Sequence, residues 1–111
     1  MVAPPRMTSQ TLKVLATMLG APAVQWYGFG LIEKTKIKSG TLYPILIRLE
    51  KAGWLDSRLE DVDPHEVGRP PRRLYSLTGE GERLARQELD AHLAALAPAS
   101  RSALPPRERL A

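Results

Sequence analysis

Apolar residues recur at helical spacing in four stretches of the chain and alternate with polar ones in two more. The clearest helical stretch runs from Ser39 to about Ala52. Leu42, Ile45, Leu46, Leu49 and Ala52 fall on one face there. Ser39 is placed to cap the first turn with its hydroxyl. Pro44 falls near that turn, where a missing donor costs least, and Gly53 stands where a left-handed residue ends a helix. The opposite face carries Gly40, Thr41, Pro44, Arg48 and Lys51. A helix built this way can lie in a DNA groove or be an ordinary amphipathic surface helix.

The same reasoning divides the rest of the chain. Thr8 and Ser9 offer caps for a helix to about Leu19, with Leu12, Leu15, Ala16, Met18 and Leu19 as its apolar positions and Gly20 and Pro22 as its stop. A second helix is predicted from about Tyr27 to Thr35, carried by Phe29, Leu31 and Ile32, with Gly28 and Gly30 suited to close helix packing. From Trp54 to Asp61 the pattern alternates, as it does from Arg72 to Leu77. These two strands flank a turn-rich loop, Asp61–Pro71, and form an antiparallel hairpin that must pack on the helices to be stable. Thr78 then caps a last helix reaching about Ala97, with Glu80 and Glu82 at its positive end. Its apolar residues make two stripes, Ala85, Leu89, Leu93 and Leu96 on one side and Leu84, Ala91 and Ala95 on another. Two stripes suit a helix that packs against two bodies, the second being another copy of the chain.

The order three helices, hairpin, long helix is that of a winged helix-turn-helix. The fold expected is therefore α+β, mostly α, with an extra C-terminal helix for dimerisation. The divisions are a flexible start over 1–7, the winged helix over 8–77, the dimerisation helix over 78–97 and a disordered tail over 98–111.

Composition narrows the function. The 111 residues carry a formal charge of +4, which suits a nucleic acid or another anionic surface. There is no cysteine. The first residues lack the apolar core of a signal peptide, and no apolar run reaches spanning length. A cytoplasmic protein without membrane contact is expected. Two histidines, no carboxylate cluster at metal-ligand spacing, no phosphate-binding glycine loop and no nucleophile elbow argue against an enzyme, a metal site or a cofactor.

Individual residues sharpen this. Tyr27-Gly28 opens the second helix; Ser39-Gly40-Thr41-Leu42-Tyr43-Pro44 and Arg48-Leu49-Glu50 build the third, and Gly53 follows it. Gly68-Arg69-Pro70 and Arg72-Arg73-Leu74-Tyr75 lie in the wing, and Leu77-Thr78 and Gly81 lead into the last helix. Together these residues resemble the PadR family of bacterial transcriptional regulators, and the single C-terminal helix resembles its short subfamily. The resemblance implies a homodimer that binds double-stranded DNA and represses transcription, in some members with release by small aromatic or multidrug-like compounds at the dimer interface.

Roles follow for named residues. Ser39 and Thr41 offer short hydroxyls to phosphates or base edges. Tyr43 offers a phenol to a phosphate, and Gly40 and Pro44 permit close approach. Arg48 and Lys51 stand later in the helix and suit phosphates. Lys36 and Lys38 precede it, where phosphates would lie. Arg69, Arg72 and Arg73 form the densest basic cluster, at the base of the wing. Ala85, Leu89, Leu93 and Leu96, with His92 beside them, form the dimerisation stripe. Trp26 and Trp54 read as core, with effector sensing as a second role. Two features depart from the family pattern. Leu59-Glu60 stands where the first wing strand often has a tryptophan followed by an acid. The wing loop is acidic, with Asp61, Asp63 and Glu66, so its tip would be repelled by phosphates. That loop keeps a second function open, a winged-helix module that binds a protein or a ligand without specific DNA readout.

Overall fold

The computed structural model describes residues 4–96. Helix α1 (Ser9–Leu19) starts at Thr8, whose hydroxyl accepts from the Thr11 N–H at 3.1 Å. A short strand β1 (Trp26–Tyr27) precedes α2 (Gly28–Thr35), and α3 (Ser39–Lys51) follows a tight turn. Strand β2 (Leu55–Leu59), a one-turn helix α4 (Pro64–Val67) and strand β3 (Arg73–Leu77) make the wing, and α5 (Gly79–Leu96) closes the described chain. Residues 1–3 of the flexible start and all of the disordered tail expected from the sequence lie outside the described residues, as does Ala97.

The three strands form an antiparallel sheet in the order β1-β3-β2. Leu55 faces Leu77, Ser57 faces Tyr75 and Leu59 faces Arg73 across the hairpin, while Trp26 pairs with Tyr75 on the other edge. The hairpin matches the sequence reading. The third strand does not appear in it: two residues are too few to show alternation. Trp26 therefore has a backbone task in β1, and its indole N–H is buried without a partner.

The helices pack around one apolar core. Val14, Leu15 and Met18 come from α1, Leu31 from α2, and Leu42, Ile45, Leu46 and Leu49 from α3, with Trp54, Leu55, Tyr75 and Ala85 closing it below the sheet. Phe29, expected as an apolar member of α2, stands 57% exposed instead.

The turn between α2 and α3 is set by one buried residue. The Thr35 hydroxyl donates to the Leu31 carbonyl at 2.6 Å and accepts from the Ile37 N–H at 3.2 Å. Lys36 takes the left-handed conformation between them, φ 64°, a geometry that non-glycine residues seldom adopt.

Two details of α3 correct the sequence reading. Lys38, not Ser39, occupies the N-cap, and no side chain caps the helix. The Lys38 carbonyl instead receives the Thr41 and Leu42 N–H groups at 3.0 and 2.8 Å, which leaves the exposed Ser39 as the first helical residue. Pro44 sits in the second turn, so it cannot supply the N–H that the Gly40 carbonyl would normally receive. The end of α3 is as expected: Gly53 adopts φ 83° and the Trp54 N–H closes on the Leu49 carbonyl at 2.9 Å.

Candidate nucleic-acid interface

Four buried residues of α3 fix which face it offers to solvent. At about 100° per residue, Gly40, Pro44, Ile47 and Lys51 point directly away from the stripe Leu42, Ile45, Leu46 and Leu49. Thr41 and Arg48 lie on one flank of that outer ridge, Tyr43 on the other. All of these side chains are exposed except Thr41, which is half-buried.

Each flank borders a cleft. One is lined by Lys13 of α1, by Lys36 and Lys38 of the turn, and by Thr41. The other is lined by Tyr27 and Gly28 at the start of α2, by Tyr43, and by Arg72, Arg73 and Tyr75 of the wing. The α3 ridge thus stands between lysines on one side and arginines on the other.

The second cleft is the more constructed. A Cβ at Gly28 would strike the Tyr43 ring and hydroxyl, so glycine at 28 is what lets Tyr43 lie across the start of α2. No side chain caps that start. Arg72 stacks its guanidinium over the Tyr27 ring, 4.1 Å from the centroid. Arg73 donates to the Ser57 hydroxyl at 3.1 Å, which in turn donates to Glu50 at 2.7 Å. Tyr75 is buried beneath them, and burial, with Glu50 nearby, pushes its phenol above the ordinary range. Arginines, an uncapped helix start and phenols aimed at one cleft suit a phosphate.

Arg69 does not line this cleft. Its guanidinium makes a two-pronged pair with Glu60, at 2.7 and 3.2 Å. The Glu60 carboxylate also accepts the Arg72 N–H at 3.2 Å. Arg69 and the direct hydrogen bond from Arg72 hold the Glu60 carboxyl below the ordinary carboxylate range. Glu60 thus anchors the wing base.

The acidic wing loop also has a structural account. Asp63 caps α4 by accepting the His65 N–H at 2.9 Å, and Gly68 ends that turn with φ 72°. This short helix replaces part of the irregular loop expected over Asp61–Pro71. Asp61 and Glu66 remain exposed.

In α5, Thr78 acts as expected. Its hydroxyl accepts the Gly81 N–H at 2.8 Å and donates to the Gly53 carbonyl at 2.8 Å, tying α5 to the end of α3. The expected dimerisation stripe divides. Ala85 is wholly buried in the protomer's own core, so it offers no surface to a partner. Leu89 and His92 are half-buried, and His92 pairs its ring Nδ1 with the Glu88 carbonyl at 2.9 Å. Leu93 and Leu96 are open.

The structure therefore brings together Lys36, Lys38, Ser39, Gly40, Thr41, Tyr43, Pro44, Arg48, Arg72 and Arg73 on one face. Lys13, Tyr27 and Ile47 join that face, with the buried Tyr75 beneath it; none of the four is assigned a DNA contact from the sequence, where Tyr27 and Tyr75 stand only as motif residues. Ile47 has a readable signal, since it falls three residues after Pro44 on the same ridge. The other three depend on tertiary packing. Among the described residues no cluster of three or more metal-ligating side chains exists, and no helix is long and apolar enough to cross a membrane.

Comparison with solved structures agrees with the fold. A PadR-like transcription factor from Bacteroides fragilis superimposes with a TM-score of 0.64 at 28% identity, covering 85% of this chain and 91% of its own. The Streptococcus mutans UA159 protein smu.1704 gives 0.65 at 26% identity, with 91% and 94% covered. The A103V mutant of MepR, from a multidrug-resistant Staphylococcus aureus clinical isolate, gives 0.71 at 14% identity, with 93% and 69% covered, and shares the winged-helix fold alone. No curated protein matches the sequence. The model of the transcriptional regulator PadR-like family matches residues 29–87, more than half of the 111. That span holds α3, the wing and the start of α5, and so the chain belongs to the PadR-like family of transcriptional regulators, which are DNA-binding proteins and not enzymes.

Proposed function

We propose that this regulator acts in the cytoplasm as a homodimeric repressor that binds a near-palindromic operator. Each protomer lays the exposed ridge of α3, from Gly40 to Ile47, in a major groove. The two half-sites then lie about 34 Å apart, one helical turn of DNA. One observation carries this reading: the exposed ridge of α3 is bordered on one side by Lys13, Lys36 and Lys38 and on the other by Arg72 and Arg73. A helix seated in a groove meets a phosphate backbone on each side, and cations on both flanks fit that.

In this proposal Ser39, Gly40, Thr41, Tyr43 and Pro44 face base edges and the nearest phosphates. Lys36, Lys38, Arg48, Arg72 and Arg73 meet the backbone, and Arg69 holds the wing. Leu89, His92, Leu93 and Leu96 supply the dimer contact. Release by a small aromatic effector completes the regulatory cycle, on the family resemblance alone.

A gel shift with the duplex upstream of the protein's own gene tests the central claim. A sequence-preferring shift that weakens steeply with salt is expected. Binding to all duplexes alike, together with tight binding of a protein partner, would instead favour a winged-helix interaction module, the reading that the acidic wing loop supports.

A further inference from the structure

The ridge of α3 carries a residue for which the core has no use. Ile47 is 51% exposed, in the middle of the face that points away from the protein. Its neighbours along the ridge toward the helix start are Pro44 and Gly40, and nothing lies within 4 Å of the place a Gly40 Cβ would take. None of these three side chains has a hydrogen-bond donor or acceptor. A base edge opposite them cannot be read by a polar side-chain contact.

The major groove displays one apolar feature on its base edges, the C5-methyl group of thymine. Arg48 on the flank of α3 and the lysines and arginines of the two clefts set the ridge between phosphate backbones, and Lys51 ends the ridge one turn beyond Ile47. From Gly40 to Ile47 the ridge runs about 10 Å at 1.5 Å per residue. That length matches about three base-pair steps of 3.4 Å.

We infer that Ile47 is a specificity-determining residue whose side chain seats on the C5-methyl group of a thymine in each half-site, with Pro44 extending the apolar contact. This rests on the DNA-reading function proposed above. Arg48 and Lys51 then hold the helix on phosphates without choosing the base.

The test uses the full chain and a duplex that the chain itself selects from a random pool at moderate salt. Each thymine of the selected site is replaced in turn by deoxyuridine, which removes only the methyl group, and affinity is read by fluorescence anisotropy. At one or two positions in each half-site, the replacement should weaken binding about fourfold, the cost of leaving one methyl group unburied. In Ile47→Ala that sensitivity should vanish at those positions, while the salt slope stays as in the parent. Ile47→Val should keep most of it. Because Ile47 is exposed, both variants should melt with the parent. Uniform indifference to deoxyuridine, or a sensitivity undiminished in Ile47→Ala, overturns the inference and leaves DNA reading intact. A pool that yields no preferred sequence overturns DNA reading itself, and this inference with it.

Discussion

The Glu60 carboxylate receives both terminal nitrogens of the Arg69 guanidinium, at 2.7 and 3.2 Å. The pair closes the base of the wing where β2 ends, and the Glu60 N–H continues the ladder to the Arg72 carbonyl at 2.7 Å. A guanidinium committed to a carboxylate releases few counterions when DNA binds. Arg69→Ala should therefore leave the slope of log affinity against log salt close to that of the parent. Arg73→Ala should lower its magnitude by about one, the loss of one phosphate contact. Equal effects from the two substitutions would place Arg69 back among the DNA contacts.

The same pair predicts how the wing responds to acid. Arg69 and the Arg72 N–H hold the Glu60 carboxyl below its ordinary range. A carboxyl depressed in the folded protein contributes order above its unfolded pKa and loses that contribution as pH falls through the folded one. The wing base should thus stay closed at neutral pH and loosen only below the ordinary carboxylate range. Hydrogen exchange at Arg72, followed from neutral to acidic pH, reads this. Glu60→Gln should exchange faster already at neutral pH and show a flatter acid response. Equal acid profiles for Glu60→Gln and the parent would detach the wing from this carboxylate.

Three glycines separate packing from function. A Cβ at Gly81 would run into the Trp54 carbonyl, a backbone group that cannot step aside. Gly81→Ala should destabilise by roughly 1–3 kcal/mol, the range for overpacking, or more. Gly79, at the start of the same helix, has nothing within 4 Å of its Cβ position. Gly79→Ala should be neutral or stabilising by up to about 1 kcal/mol. At Gly28 the obstacle is the Tyr43 ring, whose outer end can swing toward solvent. Gly28→Ala should therefore fold and lose DNA affinity, since it moves Tyr43 off the start of α2. Denaturant melts read alongside anisotropy titrations distinguish the three. A Gly28→Ala protein with parental affinity would remove Tyr43 from the contact set.

How much of this was legible in the sequence depended on how local each cause is. The α3 stripe, the Gly53 stop and the Thr78 cap are set within a few residues, and each was readable from spacing alone. The hairpin was readable because Leu55–Leu59 and Arg73–Leu77 alternate. Strand β1 was not, since Trp26 and Tyr27 are a strand only by virtue of β3 beside them. Ser39 has the chemistry of a cap, yet the chain already turns helical at Ser39, so the cap position falls one residue earlier, on Lys38. Among site residues, those on α3 followed from the helical face. Lys13 and Tyr75 come from distant elements, and only packing puts them beside Thr41 and Tyr43. Arg69 was readable as a cation, but its partner Glu60 sits nine residues back across the wing, where charge counting does not reach.

The dimer proposal turns on the outer part of α5. Ala85 is already enclosed within its own protomer, so a partner must be held further along, where Leu93 is 63% and Leu96 83% exposed. Fully burying a leucine gains about 1.5–3 kcal/mol. A two-fold interface repeats each contact, so one substitution acts twice. Leu93→Glu should convert a dimer to a monomer in sedimentation velocity at micromolar concentration. It should also weaken operator binding steeply, because two half-sites are then no longer engaged together. The protomer itself should keep its fold, since Leu93 contributes nothing to the buried core, and its far-ultraviolet circular dichroism should match the parent's. Leu84→Ala provides the contrast. Leu84 packs on the core from the inner side of α5, so its loss should lower protomer stability while the folded fraction still dimerises. A parent chain that sediments as a monomer at tens of micromolar would remove the dimer, and with it the expectation of a palindromic operator.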